Sequence, residues 1–261
     1  MTEGNGGPDY LQALRLDGRG MVILGAGGGG IGTESAKALR QAGAELLLVD
    51  IDQRRADEVA RATGGESMVA DILVEEEMKR VFARAEAKFG DHLYGLVDIV
   101  GMVKPGGMVD PNAAAVQDQL DFILKHAIWA ARVAGPLLAA RGKGSMVFVG
   151  SLAGASAVGR NPYYGIAKAG LHQLVRFAAL EFGPSGVRTN AVAPSVTLTP
   201  RVSKGLSPET LQSLEATNPL RRAAEPAEIA RAILFLSSDM ASYVNGDILM
   251  LDGGASLGRG G

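Results

Sequence analysis

Residues 21–50 read MVILGAGGGGIGTESAKALRQAGAELLLVD and decide the fold of this chain. An apolar run, a cluster of glycines, a helical pattern and a second apolar run follow one another. Glycines between a strand and a helix let the backbone approach a phosphate closely, and the helix start presents free N–H groups and a positive dipole end. The stretch therefore predicts a strand, a phosphate-binding turn and a helix, then a second strand ending at Asp50.

The same alternation continues along the chain. Short aliphatic runs without polar alternation predict strands that are covered on both faces, hence a parallel sheet flanked by helices. We therefore predict an α/β fold with a single-domain, doubly wound, Rossmann-like parallel sheet over residues 18–261, after a flexible tail of residues 1–17. The runs that predict its strands are 21–25, 45–50, 67–70, 94–100, 145–150, 187–193 and 247–251.

Composition excludes several classes of function. With a net charge of −2 in 261 residues, nothing indicates a nucleic-acid surface or an anionic membrane partner. The chain has no cysteine, which excludes disulfides and thiolate chemistry, and its three scattered histidines argue against a metal site. The N-terminus does not resemble a signal peptide, and the longest apolar stretch is interrupted by Arg132 and Pro136. We expect a cytoplasmic protein.

The acidic residue at the end of the second strand bears on the coenzyme. Asp50 can accept hydrogen bonds from an adenosine ribose and would repel a 2′-phosphate. Arg54 and Arg55 could instead hold such a phosphate, whereas Ile51 offers no contact of that kind. A surface aspartate after a flexible turn is the alternative. The order and spacing of the features favour NAD over NADP.

Residues 161–168, NPYYGIAK, raise the question of catalysis. Asn161 and Pro162 suit the start of a helix, which places Tyr164 and Lys168 at i and i+4 on one face. Lowering the pKa of a tyrosine from about 10 to about 7 requires about 4 kcal/mol. A nearby ammonium is a reasonable source of that energy. On this pair alone, a packed tyrosine beside a solvated lysine would be the better interpretation.

Further motifs change that balance. The glycine turn, Ser151 thirteen residues before Tyr164, the sequence Y-G-I-A-K, and N-A-V-A-P at 190–194 occur together and in order. In this combination the chain resembles the short-chain dehydrogenase/reductase family, from about residue 18 to the D-G-G at 252–254. The resemblance implies an NAD(P)-dependent oxidoreductase that acts on a small molecule.

The resemblance also implies roles for matching residues. Tyr164 would be the general acid/base, Lys168 would lower its pKa and hold the nicotinamide ribose, and Ser151 would position the reacting oxygen. Residues 195–222 would be a lid over the substrate. The family implies a homotetramer built through residues 113–140, residues 162–182 and the last strand. Besides Tyr164 and Lys168, the cofactor-binding residues would be Gly25, Gly30, Ile31, Gly32, Asp50, Asp71, Ile72, Val100, Gly101, Pro194, Thr197 and Thr199.

The chain departs from the family pattern in four places. The family's glycine turn reads T-G-x-x-x-G-x-G. If Gly25 matches its first glycine, which we prefer, Leu24 replaces the threonine and one extra residue precedes Gly30. In the alternative alignment Gly25 stands at the threonine and Ala26 at the first glycine. N-N-A-G has become D-I-V-G at 98–101, where the aspartate is expected to bridge strands. The usual P-G is Pro-Ser at 194–195. Ile123 stands where many relatives have an asparagine that holds a water linking the lysine to solvent, unless the alignment slips there.

Other residues are interpreted more plainly. His126 is expected to be structural, and His172 to lie at a packing or subunit surface. The lid would present an apolar inner side, which favours a hydrophobic, cyclic or steroid-like alcohol or ketone. The alternatives are a 3-oxoacyl-thioester reductase using NADPH, and a catalytically weak nucleotide-binding scaffold. The lid residues meant are Leu198, Val202, Leu206, Leu211 and Leu214.

Overall fold

A computed structural model describes residues 9–104, 106–109, 113–157, 161–216 and 218–257. Strands and helices alternate over most of the chain, as the apolar runs predict. Their order is β1 Gly20–Leu24, α1 Ile31–Gln41, β2 Glu45–Asp50, α2 Gln53–Thr63, β3 Glu66–Val69, α3 Glu75–Phe89, β4 Leu93–Asp98, α4 Ala113–Leu120, α5 His126–Ala140, β5 Gly144–Val149, α6 Pro162–Phe182, β6 Val187–Pro194, α7 Pro200–Gly205, α8 Pro208–Glu215, α9 Pro226–Ser237 and β7 Ile248–Leu251.

The seven strands form one sheet in the order β3-β2-β1-β4-β5-β6-β7, and every pair is parallel. The predicted fold class is confirmed, and each predicted strand is present with ends within two residues. Strand order reverses between β1 and β4. In such sheets, ligands bind beyond the carboxyl ends of the strands at that reversal.

Helices cover both faces of the sheet, which explains why the strands carry apolar residues on both sides. On one face α3, α5 and α6 pack through residues such as Phe82, Ala130 and Val175. On the other face α1 and α9 pack through residues such as Leu39 and Ile233. All five residues of β1 are buried, so the glycine turn that follows extends from a rigid strand.

The predicted N-terminal tail needs a correction at its end. Residues 12–14 form a 3-10 turn, and Leu16 is fully buried in the core beside α1. Its N–H donates to the carbonyl oxygen of Ala42 at 2.7 Å. An apolar side chain next to the first strand gains more from burial than from solvent exposure, so it joins the fold. Residues 1–8 lie outside the described residues.

Residues 113–140 form one continuous helical run. α4 and α5 are joined by a π-helical turn at Asp121–Lys125, and the most apolar 18-residue window within residues 114–140 has a mean hydropathy of 1.2. By length and composition alone this segment could cross a bilayer. Its residues Ala127, Ala130 and Leu138 are buried in the core, as in the central helix of a globular domain.

The segment after β6 is built from the two short helices α7 and α8. Thr199 caps α7 by accepting from the N–H of Val202, and Ser207 caps α8 in the same way. The five apolar residues expected to form its inner side are each partly buried, and their facing a substrate stays a prediction. They are Leu198, Val202, Leu206, Leu211 and Leu214.

Candidate active site

The glycine turn leaves an open cradle in front of α1. Gly25, Gly28 and Gly29 all have positive φ (78°, 91° and 70°), which favours glycine. A Cβ on Gly28 would meet no atom within 4 Å, so the space beyond the turn is free. A Cβ on Gly32 would collide with the carbonyl oxygen of Gly25, because the first turn of α1 packs directly against the end of β1. The cradle fits the pyrophosphate of a dinucleotide at a helix N-terminus.

One side chain that stabilises this turn, Thr33, was not predicted from the sequence. The hydroxyl of Thr33 accepts from the N–H of Gly29 at 3.1 Å and donates to the carbonyl of Ala26 at 3.2 Å. The turn is therefore held by a side chain from the first turn of its own helix. The available signal in the sequence was Thr33, three residues after Gly30, the last of four consecutive glycines.

Asp50 lies beside the glycine turn, as its position at the end of β2 predicts. Its carboxylate accepts from the N–H groups of Gly27 and Asp52, each at 3.0 Å. The guanidinium of Arg55 lies 2.8 Å from the same carboxylate, whereas Arg54 pairs with Glu58 on the outside of α2. Arg55 rather than Arg54 therefore belongs to this end of the cradle.

The other predicted cofactor-binding residues line the carboxyl ends of the strands. Asp71 and the buried Ile72 follow β3, and the Asp71 carboxylate accepts from the N–H of Leu73 at 3.0 Å. Cγ2 of Val100 packs closely over Gly25, because a Cβ added to this glycine would lie only 2.8 Å from it. Val100 lies beside the strand-order reversal, whereas Asp71 and Ile72 lie at the end of the edge strand β3.

The start of the lid reaches back to the cradle. Pro194 ends β6, and Thr197 is buried with a hydroxyl oxygen that has no partner among the described residues. The methyl group of Thr199 lies 3.2 Å from the position of a Cβ on Gly30. Pro200 approaches Gly29 in the same way at 3.3 Å. The lid therefore begins directly above the glycine turn.

Ser151 and Tyr164 are brought together by β5 and α6. Ser151 lies two residues after the end of β5. The helix α6 begins at Pro162 as predicted, although the Asn161 side chain makes no capping hydrogen bond. The hydroxyl group of Ser151 lies near the phenol of Tyr164 and acts on its pKa. Burial raises the pKa of Tyr164, and Ser151 offsets part of that rise. The tyrosine is therefore protonated at neutral pH.

Lys168 lies one helical turn further along α6 and is buried. Its Nζ donates to the carbonyl oxygen of Val149 at 2.6 Å and lies 5.8 Å from the centre of the Tyr164 ring. Burial lowers the pKa of Lys168 to about 8, and the negative charge of Asp98 acts in the opposite direction. The expected lowering of the tyrosine pKa is not the net result in this chain, because burial of the phenol outweighs the favourable contacts.

His172 is buried at a packing surface, one of the two positions expected for it. It is 3% exposed, and its Nε2 accepts from the N–H of Ser151 at 3.4 Å. Gly150 and Gly154 flank the imidazole, and a Cβ on either would collide with the ring. Burial, with the nearby charge of Lys168, lowers the pKa of His172 to about 4. The ring is neutral at pH 7 and can accept this bond.

A small cavity of about 30 Å³ opens beside Tyr164. Its lining combines polar groups of the segment after β4 with the start of α6. The buried Gln119 fixes that segment, because its amide accepts from the N–H of Lys104 at 2.7 Å and donates to the carbonyl of Met102 at 3.0 Å. The lining residues are Lys104, Gly106, Ala115, Gln119, Asn161, Tyr163 and Tyr164.

Comparison with known proteins decides the family. A family model described as enoyl-(acyl carrier protein) reductase matches residues 25–256. A galactitol 2-dehydrogenase (L-tagatose-forming) from Cereibacter sphaeroides is 36% identical over 256 residues, covering 95% of this chain and 99% of that protein. The chain belongs to the short-chain dehydrogenase/reductase family.

Two further members of the family are similar in sequence or structure. A cis-4-hydroxycyclohexanecarboxylate dehydrogenase from Sinomonas cyclohexanicum is 36% identical over 239 residues, covering 89% of this chain and 94% of that protein. A 7α-hydroxysteroid dehydrogenase solved with NADH and 7-oxo glycochenodeoxycholic acid matches with a TM-score of 0.86 at 31% identity, covering 93% and 96% of the two chains. This short-chain dehydrogenase/reductase is thus an NAD(P)-dependent oxidoreductase.

The departure at Ile123 lies at the site. Ile123 is fully buried in the π-helical turn between α4 and α5, a kind of helix distortion that is frequent at functional sites. A Cβ on Gly101 would lie 3.3 Å from Cδ1 of Ile123 and 2.9 Å from Nζ of Lys168. An apolar side chain therefore stands next to the lysine, where many relatives carry an amide.

The departure at Asp98 is also at the site, and its expected role was wrong. Its carboxylate does not bridge strands but accepts from the N–H of Val100 at 3.2 Å and lies 3.2 Å from Nε2 of His126. Both side chains are almost fully buried. His126 is structural in the sense that was expected, but its partner is the aspartate of the D-I-V-G stretch.

Proposed function

We propose that this enzyme interconverts a secondary alcohol and a ketone, with Ser151, Tyr164 and Lys168 as the reacting set. The single observation that carries this is the placement of Tyr164 and the buried Lys168 one helical turn apart on α6, with Nζ of Lys168 5.8 Å from the centre of the tyrosine ring. Tyr164 lines a cavity, and Ser151 is near enough to lower the pKa of its phenol, so both hydroxyl groups are placed to hydrogen-bond to one substrate oxygen.

Each side chain has a defined task. In the reducing direction Tyr164, protonated at neutral pH, donates its proton to the carbonyl oxygen while Ser151 donates a hydrogen bond that orients it. Lys168 places a positive charge below the phenol, where negative charge develops as the proton leaves. NAD(H), when bound, supplies or accepts the hydride. In the oxidising direction the tyrosine must first lose its proton, which higher pH favours.

NAD rather than NADP is the proposed coenzyme. The Asp50 carboxylate lies at the end of β2, where it would accept a hydrogen bond from a ribose 2′-hydroxyl and would repel a 2′-phosphate. The ion pair with Arg55 leaves little net positive charge at this point. The residues that would hold the coenzyme are the fourteen predicted ones, from Gly25 to Thr199.

The substrate is proposed to be a compact, mainly apolar ring with a polar group at the cavity mouth. The half-buried inner residues of the lid support the apolar part. Lys104, Gln119 and Asn161 supply polar groups beside Tyr164. The relatives that act on a cyclohexane ring and on a steroid are consistent with this class, while the galactitol enzyme points to a polyol as the competitor.

We further propose a cytoplasmic homotetramer. The outer face of α6 carries Ile166, Phe177 and Leu180 at 54%, 62% and 74% exposure, spaced to form one stripe. β7 is an edge strand with one partner in the sheet. Light scattering of the eluting protein should give about four times the chain mass of 27.0 kDa, and a monomer would contradict this proposal.

The test of the function is a hydride-transfer screen read at the NADH absorbance. NADH and NADPH are each paired with cyclohexanone, 4-oxocyclohexanecarboxylate, a 7-oxosteroid, a ketohexose and a 3-oxoacyl thioester. Tyr164→Phe is the matched control, because it removes only the hydroxyl. Turnover of one ring ketone with NADH, reduced at least 10³-fold in the control, is expected.

Other outcomes are informative in different ways. NADPH-dependent reduction of the thioester would replace the proposal by acyl-thioester reduction, which the description of the family model makes a real competitor. NADH binding without turnover of any ketone would favour a nucleotide-binding scaffold. Turnover that survives Tyr164→Phe would overturn the assigned roles while leaving the family membership intact.

A further inference from the structure

Lys168 lies in an unusually apolar place for a charged group. It is 2% exposed, and the carbonyl of Val149 is the acceptor that its Nζ reaches. On the side of the π-helical turn its neighbours are Gly101 and the buried Ile123, and neither offers a side chain that can hydrogen-bond to an ammonium. Removing a cation from water without compensation costs several kcal/mol or drives it to lose its proton.

One negative charge compensates this burial. Asp98 ends β4, next to β5, whose last residue carries the carbonyl that Lys168 contacts. It is the acidic group whose charge acts on Lys168. A buried carboxylate is itself costly, and it is held by the N–H of Val100 and by the ring of His126 at 3.2 Å.

The other titratable groups around Lys168 do not supply negative charge. On its own helix, Tyr164 is protonated and His172 is neutral at pH 7. On α5, His126 faces Asp98 with Nε2, while its Nδ1 has no partner among the described residues.

We propose that Asp98, held by His126, is the buried counter-ion of Lys168. Asp98 and His126 are positioning residues, since they act through Lys168. This role deepens the proposed function, on which the catalytic need for a charged Lys168 rests.

The experiment compares pH–rate profiles of the wild type and Asp98→Asn, from pH 6 to 10, with melting temperatures measured at each pH. An amide keeps the shape and removes the charge. Loss of an opposite charge shifts a pKa by about 1 to 2 units, so the decline at alkaline pH should begin about 1 to 2 pH units earlier. The rate at pH 8 should fall about tenfold, with a change of less than about threefold at pH 6.

Two further variants separate this role from a merely structural one. Asp98→Asn/His126→Leu removes both partners, which is tolerated better than stranding one of them, and serves where Asp98→Asn does not fold. Its profile should show the same alkaline shift. Asp98→Asn/Ile123→Asn restores a polar neighbour beside Lys168, and its profile should return towards that of the wild type.

A uniform loss of rate at all pH values, with an unshifted profile and a lower melting temperature, would overturn the proposal and leave a structural pair. A direct measurement on the wild type and Asp98→Asn gives the same decision. NMR of selectively ¹³C-labelled lysine, with Lys168→Met to assign the signal, follows the titration of Nζ. The titration in Asp98→Asn is expected about 1 to 2 pH units below that of the wild type, and an unshifted titration would overturn the proposal.

Failure of the proposed function would look different. It would appear as Tyr164-independent turnover, or as no turnover, in the wild type itself. The NMR titration needs neither coenzyme nor substrate, so it decides the charge state of Lys168 in either case.

Discussion

The two halves of the site are built from different parts of the chain. The glycine turn between β1 and α1 is a backbone device, in which φ values and missing side chains create the space. The Ser151–Tyr164–Lys168 set is a side-chain device, whose properties depend on burial and on charges contributed by β4, β5 and α5. The first half is local in sequence and the second is not.

This difference shows what each half tolerates. The glycine turn is disrupted when a side-chain atom is added where the turn has no room for it, whatever the chemistry of that atom. A side-chain set fails when a charge or hydrogen bond changes, even if its shape is kept. Substitutions that add volume and substitutions that remove one polar atom therefore distinguish the two halves.

The largest effect is expected for the side-chain half. Ser151→Ala removes the hydroxyl that acts on the Tyr164 phenol, so kcat/KM should fall about 10²- to 10³-fold. Because that hydroxyl lowers the pKa of Tyr164, its loss should also raise the pH at which the oxidation rate begins to climb. Ser151→Thr keeps the hydroxyl and should retain most of the rate. An unshifted profile in Ser151→Ala would show that the two hydroxyls are not coupled.

A smaller but still large effect is expected for the backbone half. Gly32→Ala places a methyl group against the carbonyl oxygen of Gly25, so the turn must move. NADH should bind at least about 100-fold more weakly, equivalent to about 2.7 kcal/mol, measured by fluorescence titration. Gly142→Ala is the control, since position 142 has φ 68° and open space. It should cost about 1 kcal/mol of stability and leave NADH affinity unchanged. Equal affinities in the two variants would refute the backbone account.

The smallest effect is expected for the connection between Ser151 and His172. Because the folded-state pKa of His172 is lowered from 6.5 to about 4, the unfolded chain binds one more proton between these values. This contribution to stability is therefore present above pH 6.5 and lost as pH falls to about 4. The melting temperature of His172→Gln should depend less on pH in this window, while the exposed His92→Gln behaves like the wild type. Parallel curves for the wild type and His172→Gln would contradict the assignment.

The fold was predictable because buried parallel strands need continuous apolar residues, and the seven runs mark them to within two residues. Ser151, Tyr164 and Lys168 could be picked out because their spacing is local once α6 is recognised. The Ser151 contact of His172 and the pairing of Asp98 with His126 could not. They join residues 21 and 28 positions apart, and which strand end meets which helix depends on sheet order rather than on local pattern. The burial of Leu16 was missed for the same reason, since its partner is Ala42 in the turn after α1.

The contact between the lid and the glycine turn has a kinetic consequence. Thr199 and Pro200 lie over Gly30 and Gly29, so the first residues of the lid form the roof of the nucleotide cradle. A coenzyme has to enter beneath this roof before the lid can settle around a second molecule. If residues 195–222 close over a substrate as predicted, we expect an order of arrival in which the nucleotide comes first and leaves last.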